Sequence, residues 1–190
     1  YGFDNKYVFE GDGALMGSNR FEKNSRYFLS GAIGAGWILS NEAFLIDCDV
    51  VNFLKVKASV GILGYDRSTD FLLYKTAWKN GDNLSLGEQN KSTYHTTQFV
   101  RLGNKDLKWE RSTEWNIGVD YTFFGNRLYG KFDYYRRKID GMIYEVNVPQ
   151  PPYPNGKQWQ NVGEMESKGW EFEIGGDVIR NKDFTWTSNL

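Results

Sequence analysis

The chain has little of what catalytic and metal sites are usually built from. Among its 190 residues there is one cysteine, Cys48, and one histidine, His95. One cysteine cannot close an internal disulfide, and one cysteine with one histidine cannot assemble a zinc-type cluster. No metal or other cofactor is expected. No basic side chain stands beside Cys48 in the sequence to activate it, so a small packing residue is expected there. His95, between Tyr94 and Thr96, reads as a loop-surface histidine. Charge of one sign is also missing, with 23 basic against 24 acidic residues and a net charge of -1. Nothing therefore argues for nucleic acid as a partner. No run approaches the roughly 18 apolar residues of a membrane helix, so any membrane crossing must be made by strands. Proline is confined to Pro149, Pro151, Pro152 and Pro154. That short segment cannot be a central strand, and the rest of the chain is free to form them.

What the chain does have is aromatic residues, 17% of the total, in a sequence whose mean hydropathy is only -0.59. This combination suits strands with one apolar face. The stretch that shows it best is residues 107–135, LKWERSTEWNIGVDYTFFGNRLYGKFDYY. Trp115, Ile117, Val119, Tyr121 and Phe123 point one way, and Asn116, Gly118, Asp120 and Thr122 the other, because successive strand side chains face opposite sides. Phe124-Gly125-Asn126 reverses the chain. The return strand puts Leu128, Gly130, Phe132 and Tyr134 on the apolar side and Arg127, Lys131, Asp133 and Tyr135 on the wet side. The result is an antiparallel hairpin with two unlike faces.

The same alternation recurs along the chain. It is weak from residue 5 to 15, ahead of the polar run Gly17-Ser18-Asn19-Arg20, and clear from 27 to 39, where Tyr27, Leu29, Ile33, Ala35, Trp37 and Leu39 share a face. Leu54, Val56, Ala58, Val60 and Ile62 then alternate with Lys55, Lys57, Ser59 and Gly61. Periodicity fades between residues 64 and 107, where polar residues are interrupted by the apolar run Phe71 to Tyr74, and a long loop with one hairpin of its own is expected there. A further strand is expected from Lys168, with Trp170, Phe172 and Ile174 opposed by Glu171 and Glu173. A last one carries Phe184, Trp186 and Ser188.

Connections alternate between long and short, the pattern of outer-membrane barrels with long outer loops and short periplasmic turns. Aromatics gather at strand ends on the apolar face. Trp115 and Trp170 lie at the long-loop end and Trp37, Phe123, Phe184 and Trp186 at the short-turn end, as two membrane girdles about 25 Å apart would require. The expected fold is all-β, an antiparallel up-and-down transmembrane β-barrel segment. The competing reading is a soluble all-β sandwich, a glycan-binding or structural domain.

Five segments carry a resemblance. They are residues 30–44, SGAIGAGWILSNEAF; 54–64, LKVKASVGILG; 107–120, LKWERSTEWNIGVD; 133–138, DYYRRK; and 161–171, NVGEMESKGWE. In this order they resemble the barrel of the SusC/RagA family, TonB-dependent outer-membrane importers of glycans and peptides. The resemblance implies a plugged barrel of about 22 strands, of which this chain supplies about seven. It also implies a surface lipoprotein lid of the SusD kind, a TonB energy complex acting on a plug, and a Gram-negative outer membrane. Neither plug nor TonB box is recognisable in the chain, which opens on Tyr1 in a strand-like pattern without a signal peptide, so a piece of a larger protein is expected. The stretch GDGALMGSNRF, residues 11–21, differs from the shorter family pattern by extra residues before Arg20.

On this reading the apolar face meets lipid. The other face lines a hydrated lumen, where Lys55, Lys57, Asp120, Lys131, Asp133, Glu171 and Glu173 act as wall or plug-docking groups rather than catalysts. Glu171 and Glu173 share a strand face, but glycoside hydrolysis needs a carboxylate gap that spacing alone does not fix, and no enzyme is expected. Contact with a glycan or peptide would use loop aromatics, whose flat rings offer rigid area at low entropy cost; the candidates are Trp78, Tyr94, Tyr153 and Trp159. Asp47, Asp49 and Asn52 have a calcium-like spacing but lack the required glycine, and read as coincidence.

Overall fold

A computed structural model of the chain describes residues 1–66, 71–86, 92–148 and 156–190. Its main body is one eight-stranded antiparallel sheet. In chain order its strands are β1 (Gly2–Phe3), β2 (Tyr7–Gly17), β3 (Tyr27–Ile38), β4 (Val51–Tyr65), then β9 (Glu110–Phe123), β10 (Leu128–Asn147), β11 (Lys157–Arg180) and β12 (Thr185–Asn189). Between β4 and β9 lie two separate two-stranded pieces, β5 (Ala77–Asn80) with β8 (Thr97–Arg101), and β6 (Leu84–Leu86) with β7 (Ser92–Tyr94). The long segment thus holds two hairpins, the second nested within the first, where one was expected.

Each long strand pairs with its sequence neighbour in the sheet, so the path is up-and-down and the sheet is open at β1 and β12. The organising hairpin forms as the alternation requires, with Val119 opposite Phe132 and Ile117 opposite Tyr134. Its turn needs left-handed backbone at three consecutive residues, Phe124 (φ 58°), Gly125 (φ 65°) and Asn126 (φ 65°). Glycine and asparagine take that conformation readily and phenylalanine does not. Asn52 on the neighbouring strand stabilises the turn. Its Oδ1 accepts from the backbone N–H of Gly125 at 2.7 Å and of Asn126 at 3.2 Å. The residue whose spacing suggested a calcium ligand is a turn cap, and among the described residues no group of three metal-ligating side chains comes together.

Register sorts the side chains into rows. One row on the apolar face runs Trp37, Val56, Val119, Phe132, Phe172. The next, toward the long connections, runs Phe9, Ala35, Ala58, Ile117, Tyr134, Trp170. No second layer covers them. Ile33 is 65% exposed, Trp170 66% and Phe172 56%. Burying one such side chain is worth about 1.5–3 kcal/mol, so a bare face of them in water forfeits that gain row after row, whereas hydrocarbon recovers it. A sandwich would have folded this face inward.

Among the described residues the buried core lies elsewhere, at the end of the sheet that carries the long connections. Phe21, Leu73, Leu107, Trp109 and Ile143 cluster there, with Met16, Phe28 and Trp159 packed against them. Trp109 is within 5.3 Å of the Phe21 ring and 5.9 Å of Phe28, and its indole N–H donates to the Ser25 carbonyl at 2.9 Å. The segment from 102 to 108 is tied to β11. Asn104 donates to the Trp159 carbonyl at 2.8 Å, Gln158 to the Gly103 carbonyl at 3.0 Å, and Asn161 to the Lys108 carbonyl at 2.8 Å. The described parts of the long connections therefore pack together around one core.

Strand lengths differ from expectation in one respect. β11 begins at Lys157, not near Lys168, and β10 continues to Asn147. This pair rises well past the aromatic rows, with register irregularities between Asp140 and Ile143. The four prolines lie outside the described residues.

Candidate functional site

The feature that can do work is the face opposite the apolar one. Its rows carry water-seeking groups, Lys55, Asp120, Lys131 and Glu173 in one row and Lys57, Gly118, Asp133 and Glu171 in the next. Lys57 sits at the centre. Its ammonium group lies 2.6 Å from the Asp120 carboxylate and 3.3 Å from that of Asp133. The bridge crosses β9 at Gly118, where an added Cβ would collide with the Asp133 carboxylate and stand 2.7 Å from Lys57 Cε. Only glycine leaves that passage open. Lys131 pairs with Glu173 at 2.8 Å, and Arg137 with Glu114 at 2.6 Å. All but the Lys57–Asp133 pair, which spans β9, link adjacent strands, and only Asp133 among these groups is buried, at 6% exposure. A charged ladder of this kind tolerates water, which the apolar face does not.

Nearer the long connections the same face becomes small. Ser30, Ala32, Ser59, Gly61 and Ser112 floor a trough of about 520 Å³, edged by Asp12, Tyr65, Glu114 and Arg137. This face is crowded with ion pairs away from the long connections and hollowed beside them. Glu171 and Glu173, the carboxylates with a strand-face spacing, are opposed by Asp133 and Lys131 respectively, and Glu173 is held in its ion pair.

The aromatic residues of the apolar face form two groups. Toward the long connections, Trp115 is 5.4 Å from Tyr134, and Trp170 lies 4.4 Å from Tyr134 and 5.1 Å from Phe132. At the other end, Tyr121 stacks on Phe123 at 5.3 Å, and Tyr7 on Trp37 at 6.3 Å. Phe184 and Trp186 stand exposed by the turn into β12. Trp115 and Phe123 are separated by about 27 Å along the strand at roughly 3.4 Å per residue. With a tilt of about 40° this is a band roughly 21 Å tall, close to the apolar height of an outer-membrane barrel.

Glu42, in the connection after β3, anchors the second group. Its Oε1 accepts from the Trp37 indole at 3.0 Å and from the Tyr7 hydroxyl at 3.0 Å, and Lys6 lies 3.3 Å from Oε2. The indole hydrogen bond, followed by that of the tyrosine, holds the Glu42 carboxyl below the usual carboxylate range. The hydrogen bond to Glu42 in turn raises Lys6 above its ordinary value.

The described loop aromatics, Trp78, Tyr94 and Trp159, sit on three different strands, β5, β7 and β11. Trp78 is exposed on β5 against Phe99, edge to face at 5.4 Å, and Tyr94 is exposed at the end of β7. Trp159 is half-buried against the loop core. Tyr153 lies outside the described residues. The 11–21 stretch is structural. Phe21 is the centre of the core, and Arg20 reaches Asp66 at 2.6 Å beneath the Phe71 ring at 5.5 Å. Sequence reasoning missed this core because its members lie far apart along the chain and share no period.

Comparison with known proteins fits this geometry. Residues 3–190 match the family described as TonB dependent receptor-like, beta-barrel. The chain is 33% identical over 189 residues to the TonB-dependent receptor SusC of Bacteroides thetaiotaomicron, covering 98% of this chain and 18% of that protein. It is 36% identical over 192 residues to the TonB-dependent receptor P3 of Formosa agariphila, covering 99% of this chain and 18% of the other. The chain thus spans about a fifth of the length of the curated relatives it matches. Among solved structures, the RagAB peptide importer in its closed-closed state superposes with a TM-score of 0.80 at 25% identity, over 100% of this chain and 20% of the other. The siderophore receptor PirA of Pseudomonas aeruginosa, at 16% identity and a TM-score of 0.53, shares the fold. An open antiparallel sheet with a bare apolar face, a charged opposite face and this match along nearly its whole length belongs to the TonB-dependent receptor-like β-barrel family.

Proposed function

We propose that this chain is a section of the wall of an outer-membrane, TonB-dependent importer of the SusC kind, moving glycans or peptides. The observation that carries the reading is the division of one sheet into an uncovered apolar face and a salt-bridged polar face. Hydrocarbon satisfies the first and a wet lumen the second. Trp37, Phe123, Phe184 and Trp186 on one side, and Trp115 and Trp170 on the other, then serve as the two interfacial girdles. The wall does no bond chemistry. It holds a hydrated path open and presents outer loops to arriving cargo, while a TonB energy complex supplies work through a plug and a SusD-like surface lipoprotein acts as lid.

Of the cargo-contact candidates, Trp78 and Tyr94 have the better support, since their rings are exposed on hairpins at the long-connection end. Trp159 has less, because its ring is engaged with the loop core. Tyr153 stands on sequence alone.

Orientation decides which connections can meet cargo, and it can be tested. In the full-length parent with Cys48→Ser, a Lys105→Cys variant places a thiol on an exposed position of the packed outer body. It should react on intact cells with a polymer-linked maleimide too large for porins. Asn126→Cys, at the short turn, should react only after the outer membrane is opened. The reverse pattern would turn the barrel over and withdraw Trp78, Tyr94, Tyr153 and Trp159 as contacts.

A further inference from the structure

Just beyond Tyr134 and Trp170 the lipid-side face of β9, β10 and β11 turns from apolar to charged within one row. Arg136 and Lys168 share a row with Trp115. Above them, Lys138 is opposite Glu166, and Arg111 is opposite Asp140, itself opposite Glu164. Two of these cations are fixed by their neighbours. Arg136 donates to both oxygens of Glu166 at 2.9 and 3.2 Å, and Lys138 spans Asp140 at 3.0 Å and Glu164 at 3.2 Å. Arg111 and Lys168 are exposed, and among the described residues neither forms an ion pair within 4.0 Å, although Lys168 lies close enough to act on the charge of Glu166.

We propose that this patch binds the phosphate groups of outer-leaflet lipid, with Arg111 and Lys168 as the free cations and acyl chains lying over Tyr134, Phe132 and the rows below. The inference rests on the membrane reading above. Height is the first argument. The patch begins in the row of Trp115 and directly above the Tyr134–Trp170 pair, where an interfacial belt meets head groups. Charge is the second. The ion-paired cluster of Arg136 and Lys138 with the three carboxylates carries a net charge of -1, and Arg111 and Lys168 outweigh it, so the patch as a whole has an excess of one positive charge. Chemistry is the third, since a guanidinium offers a planar fork that suits phosphate oxygens and an ammonium adds a point charge. A stretch of strand that merely stood in solvent would need none of this directly on the aromatic row.

Native mass spectrometry of the detergent-extracted full-length parent, titrated with diphosphorylated lipid A and with the same lipid chemically dephosphorylated, tests the proposal. Each cation near an anionic surface is worth roughly fivefold in binding. With two free cations the intact protein should therefore retain the phosphorylated lipid about 25-fold better than the dephosphorylated one. An Arg111→Gln/Lys168→Gln variant should lose that preference and keep its binding of the dephosphorylated lipid, and Lys168→Gln alone should lose about fivefold. Heat-modifiable gel migration should be unchanged in both variants, which separates head-group recognition from barrel assembly. Equal retention of the two lipids by the intact protein would overturn the proposal while leaving the membrane reading standing. Excess inorganic phosphate should reduce retention of the phosphorylated lipid only to the level of the dephosphorylated one, because the acyl contacts remain; complete displacement would overturn the proposal by making the free anion the ligand.

Discussion

Arginine in place of Val119 in the full-length parent should sharply reduce folded barrel in the outer membrane, while Asp120→Asn, one residue away, should assemble normally. Val119 sits in the middle of the apolar band, between Val56 and Phe132 in its row. A charge there must enter hydrocarbon near the midplane, at a cost of about 2–4 kcal/mol. Asp120 points to the other side of the same strand. Its replacement by asparagine keeps the shape and leaves Lys57 with Asp133 at 3.3 Å. Heat-modifiable migration reports assembly for both variants. Similar loss in both, or loss only in Asp120→Asn, would mean that the faces are assigned the wrong way round.

The second large effect concerns the outer body. Phe21 is fully buried at the centre of the loop core, with Leu73 and Leu107, and all three have 0% exposure. Truncating a buried phenylalanine typically costs about 3–5 kcal/mol. Among the described residues this core, with the ties from 102–108 to β11 and the Arg20–Asp66 pair, draws the long connections together. Phe21→Ala should therefore loosen them together. Limited proteolysis of the full-length parent should show new cleavage between β4 and β9, with heat-modifiable migration retained because the strand ladder below is untouched. Leu15→Ala, on a side chain 70% exposed on the apolar face, is the contrast and should leave cleavage unchanged. Unaltered proteolysis in Phe21→Ala would show that the connections do not depend on a shared core.

How far the amino acids alone reveal this architecture differs from one region to the next, for physical reasons. Residues 107–135 disclose hairpin, turn and faces because lipid on one side and water on the other impose a period of two on side-chain polarity. Above the aromatic row that contrast ends. Arg136, Lys138, Glu164, Glu166 and Lys168 occupy outward positions, polarity no longer alternates, and the first part of β11 cannot be told from loop by pattern. The loop core hides for another reason. Phe21 follows a polar run, Leu73 falls in an isolated apolar patch and Trp109 precedes a strand, so only tertiary packing brings them together. The apolar run Phe71 to Tyr74 was the one local sign that something in the long segment is buried. Asn52 shows the opposite hazard, since a spacing that resembles ion chemistry serves to cap a neighbouring turn. The lumen ladder was readable as a set of charged positions, but the crossing of Lys57 over Gly118 depends on register.

The central claim is that β9 separates lipid from a hydrated lumen, and a nitroxide scan along it asks this most directly. Single cysteines from Thr113 to Phe123, introduced into the full-length parent with Cys48→Ser and spin-labelled in bilayers, report accessibility to oxygen and to a water-soluble nickel chelate. Oxygen collisions should peak at positions 115, 117, 119 and 121 and fall at 114, 116, 118 and 120, with a period of two residues and the greatest contrast near Val119. A flat profile, or maxima at the even positions, would contradict the account.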